Sequence, residues 1–258
     1  MARLPRYFFN RGAEVVARDL LGKKLCRRLS DGRVLRGIIT ETEAYLGGED
    51  LASHSRLGLR TERNEVMYGK PGIAYVYFTY GMHWMLNFVC SKKDDPQAVL
   101  IRGLDVVSGP ARLTKYFAIT GAMNGVDVTK SRDLWMEEGI TIPRSNIVRT
   151  SRIGVEYAKE WKDEKLRFVL HSQILEKLRI VNGVYEIVKS IPRGKVATYG
   201  WVAKKVGISP RVVGNTLHKN VNPQKIPCHR VVNSKGKLAE NYAFGGAKEQ
   251  ARKLRVRV

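Results

Sequence analysis

The spacing of apolar positions divides the chain. Up to about residue 170 they alternate with polar ones or form short continuous runs, and beyond His171 they return every three or four residues. Val34 to Ile39 is apolar and lies behind an Asp31-Gly32 turn signal, which predicts a strand entered from a hairpin. Side chains alternate along a strand, so Ile39, Glu41, Glu43 and Tyr45 are expected on one face, just before a break at Gly47-Gly48. Two readings fit this stretch taken by itself. In one, a carboxylate is presented at the rim of a sheet. In the other, the acids are solvated charges that keep an edge strand from pairing.

The remaining elements of the first part follow in the same way. Asn10 is placed to cap a helix with Ala13, Val16, Ala17 and Leu20 on one face and Gly22 at its close. Lys24 to Leu29 and Val34 to Tyr45 form the predicted hairpin. Ile73 to Tyr80 and Met82 to Cys90 predict a second β unit bent at Gly81, with six aromatics between Tyr75 and Phe88. Core packing accounts for Tyr75, Phe78 and Phe88. It accounts poorly for the tip, Tyr80-Gly81-Met82-His83, where large apolar side chains are exposed; on a basic protein such a tip suggests a wedge between bases. Ala98 to Leu104 predicts a further strand, and Arg102 inside it must be paired or face a cleft.

In the last third, Val184, Ile187, Val188 and Ile191 mark an amphipathic helix ending at Pro192-Arg193-Gly194. Tyr199 precedes a short helix with Val202, Ala203 and Val206 inward, closed by Gly207. Ser209-Pro210 supplies an N-cap and an N1 proline for a helix with Val213 and Leu217 on one face. A helix, a short glycine turn and a second helix with basic flanks make a helix-turn-helix pattern.

Composition sharpens the choice of partner. The 258 residues carry a formal charge of +22, which implies a polyanion, either nucleic acid or an acidic membrane surface. No apolar run approaches the ~18 residues of a membrane span, and Met1 to Tyr7 has no apolar signal segment. The expectation is a cytoplasmic protein, nucleoid-associated through DNA, with no membrane and no obligate protein partner. Residues 171–258 hold 18 lysines and arginines against 4 acids, whereas residues 1–170 hold 28 against 20, so the basic excess is densest after the change of period. Cys26, Cys90 and Cys228 stand in no CxxC spacing, which argues against a disulfide scaffold or zinc knuckle and for one reactive thiol among buried ones. No HxxxH pattern occurs, so no metal site is expected. Cys228, between Pro227 and His229 in a basic setting, is expected to have a lowered thiol pKa and to act as a nucleophile; a buried structural cysteine is the alternative.

A set of ordered motifs makes the first part resemble a known family. Glu41-Thr42-Glu43-Ala44-Tyr45-Leu46-Gly47, Glu49-Asp50, His54-Ser55, Arg63-Asn64, Lys70-Pro71-Gly72, Tyr75-Val76-Tyr77, Tyr80-Gly81-Met82, Leu100-Ile101-Arg102 and Arg152-Ile153-Gly154-Val155 recur in the order of the alkyladenine (3-methyladenine) DNA glycosylases. The resemblance runs from about Leu4 to Leu170, through Trp161 and Leu166-Arg167-Phe168. It implies a sheet-rich domain that flips a damaged purine out of duplex DNA, with Tyr80 filling the vacated stack beside Met82. Tyr45, His54 and Tyr77 would sandwich and hydrogen-bond the flipped base, and Asn87 would clash with the exocyclic amine of guanine. Glu43 would activate the attacking water and balance the oxocarbenium charge, with Arg102 and the carbonyl of Ile153 completing the water's cage. Arg102 would also hold Glu43 ionised by lowering its pKa. No lysine lies in these motifs at a place suited to a Schiff base, so a monofunctional glycosylase is expected.

Ile226-Pro227-Cys228-His229-Arg230-Val231-Val232 resembles the signature of the O6-alkylguanine-DNA alkyltransferases, over about Val181 to Lys253. That resemblance implies alkyl transfer to Cys228, with His229 activating the thiol through a water. Tyr199 would displace the target nucleotide, Arg211 would fill the stack, and Asn220 would brace the loop before the cysteine. The family's own amino-terminal domain is absent, and its glutamate in a Leu-Glu-Gly stretch is matched here by Leu254-Arg255-Val256. Glu240 or Glu249 could substitute for it, or this half could serve only as a DNA-binding clamp.

The fold expected is α+β: a mixed, sheet-rich glycosylase domain over 1–170, a linker over 171–180, and a small, mostly helical winged-helix or helix-turn-helix-like domain over 181–258. The function expected is repair of double-stranded DNA containing alkylated bases, by excision of alkylated or deaminated purines and by alkyl transfer to Cys228, two reactions that need no metal or organic cofactor.

Overall fold

The computed structural model describes residues 2–255. Two compact units, Met1–Leu175 and Glu176–Val258, make up the chain. Within the first, helices α1 (Arg6–Phe9) and α2 (Ala13–Leu20) precede strands β1 (Lys24–Arg28), β2 (Val34–Tyr45), β3 (Ala74–Thr79), β4 (His83–Cys90), β5 (Gln97–Leu104) and β6 (Val107–Ser108). Helix α3 (Pro110–Tyr116) and strands β7 (Leu134–Glu137), β8 (Ile147–Thr150) and β9 (Arg167–Leu170) complete it. The sheet runs β3-β4-β5-β2-β1-β7, with β6 on β5, β9 on β2 and β8 on β9.

This order decides between the two readings of the acid-bearing strand. β2 is an inner strand over the stretch that bears the acids. One edge pairs with β5 from Ile39 to Tyr45; the other pairs with β1 from Val34 to Ile38 and with β9 from Glu41 to Glu43. Its acids therefore point out of the middle of a sheet, where unpaired charge is costly. Thr42, on the opposite face, donates its hydroxyl to the Ala17 carbonyl at 2.8 Å and ties β2 to α2. Ala13, Val16, Ala17 and Leu20 of α2 are all buried, as their spacing requires. Asn10 is not the cap of that helix. Gly12 holds the N-cap position, and the first free amide, Ala13 N–H, is taken by the Gln97 side chain at 2.8 Å. A partner 84 residues away replaces the local cap.

The second unit holds most of α4 (Ser172–Ser190), then β10 (Ala197–Thr198), α5 (Tyr199–Val206), α6 (Pro210–His218), β11 (Val231–Val232) and α7 (Gly246–Arg255). The residues expected as a linker, 171–180, are thus almost entirely helical, being the first turns of α4. Val184, Val188, Ile191, Val202, Ala203, Val213, Leu217 and Val231 form one buried core. Gly183 lets α4 approach α5, since a Cβ there would stand 3.0 Å from Val206. Thr198 caps α5 by accepting from Trp201 N–H at 3.1 Å, and Gly207 ends it in the left-handed conformation. Ser209 has N-cap dihedrals but its side chain makes no capping bond, so Pro210 at N1 is what sets the start of α6.

Among the described residues no helix is long and apolar enough to cross a membrane.

Candidate active site and DNA interface

A cavity of about 310 Å³ opens on one face of the large sheet. Its walls include Tyr45 from β2, Tyr75 and Tyr77 from β3, Asn87 from β4, Arg102 from β5, His54 from the loop after β2, and Ile153 and Tyr157 from the loop after β8. Period-two alternation brings Tyr75 and Tyr77 to one side of β3, and their rings lie 5.3 Å apart. The His54 ring packs against Tyr77 at 4.5 Å, and its Nδ1 shares a hydrogen bond with the Tyr75 hydroxyl at 2.8 Å. Burial, helped by the nearby Arg63 and Arg56 charges, pushes the His54 pKa down to about 4, so the imidazole is neutral at physiological pH. A neutral aromatic wall suits a flat heterocycle. Asn87 is buried and fixed by donating to the Tyr75 carbonyl at 3.2 Å.

Glu43 stands behind this wall and is fully buried. Its Oε1 accepts from the Ile153 amide at 2.9 Å and lies 3.3 Å from Arg102 Nε; its Oε2 accepts from the Tyr45 hydroxyl at 2.9 Å. The Ile153 group that bonds Glu43 is its N–H, which leaves the role expected of its carbonyl as it stood. One expectation is corrected here. The Glu43 pKa is raised, since burial outweighs Arg102, the Ile153 amide and the Tyr45 hydroxyl together. Tyr45, in turn, is pushed up by burial and by the adjacent carboxylate.

Ile153 is held by its neighbour. Arg152 forms a bidentate pair with Asp50 at 2.5 and 2.8 Å, and also donates to the carbonyls of Ala44 and Trp161. Its guanidinium lies 4.8 Å from the centre of the Tyr45 ring, so one cation pins both residues that bond Glu43.

At the rim, the β3–β4 hairpin projects Tyr80 and Met82, which are 80% and 66% exposed. Met82 N–H bonds back to the Thr79 carbonyl, and Tyr80 and Gly81 both have positive φ, 52° and 65°. That is the pattern of a type I′ turn, in which a tyrosine at the first central position costs on the order of 1 kcal/mol. A strained, exposed aromatic is thus fixed at the mouth of the cavity.

In the second unit, Cys228 is buried among the core residues. Asn220, also buried, donates its amide to the Ile226 carbonyl at 3.1 Å and to Cys228 Sγ at 3.3 Å, bracing the loop between them. The thiol faces the Tyr242 hydroxyl at 3.8 Å. Buried Gln250 on α7 donates to the His229 and Val231 carbonyls at 3.1 and 2.9 Å, which fixes the backbone around His229. Tyr199 opens α5 half-buried, and Arg211 is exposed on the first turn of α6. Glu249 spends both carboxylate oxygens on Arg252, and Glu240 is exposed. Val256 lies outside the described residues.

Comparison with known proteins decides what this cavity belongs to. Residues 7–108 and 104–174 match the family described as methylpurine-DNA glycosylase. The chain belongs to the methylpurine-DNA glycosylase family. A putative 3-methyladenine DNA glycosylase of Methanocella arvoryzae is 44% identical over 180 residues, covering 62% of this chain and 88% of that one. One from Desulfitobacterium hafniense is 39% identical, covering 66% and 96%. Residues 180–256 match the DNA-binding domain of 6-O-methylguanine DNA methyltransferase. Among solved structures, Schizosaccharomyces pombe Atl1 in complex with DNA containing O6-carboxymethylguanine is 34% identical, covering 30% of this chain and 73% of that one, with a TM-score of 0.28. Mycobacterium tuberculosis O6-methylguanine methyltransferase is 29% identical over 30% of this chain and 46% of that one, with a TM-score of 0.27.

The chain is therefore a DNA-alkylation-repair protein with a glycosylase domain followed by an alkyltransferase-like domain. In the glycosylase unit, Glu43, Tyr45, Arg102 and Ile153 form one bonded group, and His54, Tyr77 and Asn87 line the adjoining cavity. Tyr75, Tyr157 and the Asp50–Arg152 pair join them without having been singled out for a role from sequence. Asp50 and Arg152 lie in the motifs Glu49-Asp50 and Arg152-Ile153, but their polar neighbours gave no sign that the two charges are buried against each other. Tyr157 carried no signal either.

Proposed function

We propose that the glycosylase unit hydrolyses the N-glycosidic bond of alkylated or deaminated purines, with Glu43 as general base. The observation that carries this reading is the number of donors around that carboxylate. An ionised carboxylate offers about four lone-pair sites. Ile153 N–H and the Tyr45 hydroxyl occupy two of them, and Arg102 stands 3.3 Å away as an ion pair without taking another, which leaves room for a water at the cavity wall. Glu43 takes a proton from that water as oxygen bonds to the anomeric carbon. The C–N bond breaks, and the base leaves with the bonding electrons, eased in an N-alkylated purine by the positive charge that alkylation places on the ring. The raised pKa makes Glu43 a stronger proton acceptor than a solvated carboxylate, and its charge opposes the oxocarbenium cation.

Tyr80 enters the stack as the purine leaves it, and the neutral surfaces of His54, Tyr45 and Tyr77 receive the base. Asn87, anchored on Tyr75, rejects a purine with an exocyclic 2-amine. No lysine is among the described residues lining the cavity, in keeping with hydrolysis rather than a Schiff-base lyase step. Incubation with methylated duplex DNA tests the reading: free methylpurine and alkali-labile sites are expected. A borohydride-trapped covalent complex would overturn the hydrolytic mechanism.

For the second unit we propose alkyl transfer from O6-alkylguanine to Cys228. The sulfur–carbon bond forms as the carbon–O6 bond breaks, and the thiol proton passes through His229 to the guanine. The Asn220 amide, donating to Sγ, holds the sulfur in place for the transfer. A second reading, a binding clamp without transfer, is favoured by the surroundings of His229. Lys189, Arg193, Lys225, Arg252 and Lys253 line the cleft it faces, and Glu249 is tied to Arg252.

A further inference from the structure

Arg102 has one Nε–H, and the two acids of β2 compete for it. The hydrogen bond goes to Glu41, whose Oε1 accepts at 3.0 Å; Glu43 is only within ion-pair distance, at 3.3 Å. The same Glu41 oxygen accepts from Arg167 Nε at 2.7 Å, which fills its lone pairs. Two acids and two arginines thus form a neutral quartet in which Glu41 is clamped and Glu43 is left with a lone-pair site to spare.

The backbone is shaped for this arrangement. Glu41 pairs with Gly103 and Thr42 with Ile101, so Arg102 is the extra residue of a bulge on β5. A Cβ on Gly103 would stand 3.2 Å from Glu41 Cβ and 3.4 Å from its Oε2, so the glycine makes room for the Glu41 side chain to lie across β5.

We propose that Glu41, held by Arg167, is a positioning residue that keeps the Arg102 Nε–H off Glu43 while leaving the guanidinium beside it. The inference rests on the reading of Glu43 as the base. Glu41 acts by holding Arg102 and by its own charge. The groups that face Glu43 are Arg102 on β5, Tyr45 on β2, Tyr77 on β3 and the Ile153 amide, with Glu41 next along β2. Arg167 on β9 faces Glu41, and its other bond is to Thr150 on β8.

The test is the pH dependence of single-turnover base release from methylated duplex DNA by the full chain. Glu41→Gln removes a charge that raises the Glu43 pKa and frees Arg102 to bond Glu43. Its acid limb should move to lower pH, by on the order of one unit. Arg167→Gln leaves Glu41 without its counter-charge and should move the limb the other way. In the Glu41→Gln background, Arg167→Gln should cause only a small part of that shift. Gly103→Ala, which keeps all four charges and crowds Glu41, should shift the limb as Glu41→Gln does, and it decides the matter if Glu41→Gln does not fold.

Limbs that coincide with the parent's in these variants would show Glu41 to be structural only and overturn the proposal. If Glu43→Gln keeps the parent rate, the base assignment itself fails. If Glu43→Gln is inactive and the limbs do not move, only the role of Glu41 fails.

Discussion

Asp50 and Arg152, 102 residues apart, form a two-pronged ion pair with no side-chain exposure at either partner. The pair closes the loop after β8 against the loop after β2, and it presents the Ile153 amide to Glu43 from the adjacent residue. Removing one partner leaves a charge buried without its counter-ion, which costs about 3–5 kcal/mol. Arg152→Met should therefore lower the stability of the glycosylase unit by that amount in denaturant titration. At temperatures where it stays folded, its excision rate should also fall, because Ile153 and Tyr45 lose their common anchor. Asp50→Asn should lower both as well, since each partner keeps two backbone bonds but loses its counter-charge: Arg152 to the carbonyls of Ala44 and Trp161, Asp50 from the amides of Leu46 and Ala52.

The pH profile should show a single acid limb belonging to Glu43. A base works only when deprotonated, and burial raises the Glu43 pKa, so activity should be lost at a higher pH than for a solvated glutamate. His54 does not enter, because with its pKa near 4 it is already neutral where Glu43 titrates. His54→Gln should lower the rate and leave the position of the limb unchanged. A limb that moves with His54 would assign the titration to the wrong residue here.

Tyr80→Ala removes the ring held at the hairpin tip. Stacking of an aromatic on a base is worth about 1–3 kcal/mol. Affinity for lesion-bearing duplex should fall by roughly ten- to a hundredfold, and affinity for a single-stranded lesion should fall far less, since no stack has to be refilled. Equal losses on both substrates would exclude a wedge.

Alkyl transfer by the second unit is read by mass. Incubation with O6-methylguanine DNA should add one methyl group per chain, and Cys228→Ser should abolish the gain. No gain in the parent, with DNA binding retained, would leave the clamp reading in its place. Asn220→Ala should slow the transfer, since it removes the donor to Sγ and the brace to Ile226.

Much of the site was legible in the sequence, because chemistry-bearing side chains in a strand carry their own pattern. Glu43, Tyr45 and Arg102 stand out in apolar or alternating runs, the family resemblance added Tyr77 and chose Glu43 over Glu41, and the exposed tip at Tyr80 needed only a hairpin to be placed. The helix-turn-helix was equally plain from Gly207, Ser209 and Pro210. What was not legible depended on long-range order. Period alone could not tell that β2 is an inner strand, since its neighbours β5 and β9 come from distant parts of the chain. The Ile153 amide is a backbone donor and leaves no mark in side-chain pattern. The Glu43 pKa was misjudged in sign because Arg102 is visible in the sequence and burial is not. Asn10 looked like a cap because its real substitute, Gln97, lies on another strand.

The central claim is that Glu43 is the base. Glu43→Gln keeps the shape of the side chain and loses only the ability to take a proton. Single-turnover release of methylpurine from methylated duplex DNA by this variant, at a pH above the acid limb, is the most direct measurement. The rate should fall by about 10²- to 10⁴-fold, with lesion-duplex affinity retained. A rate equal to that of the unaltered protein would contradict the account.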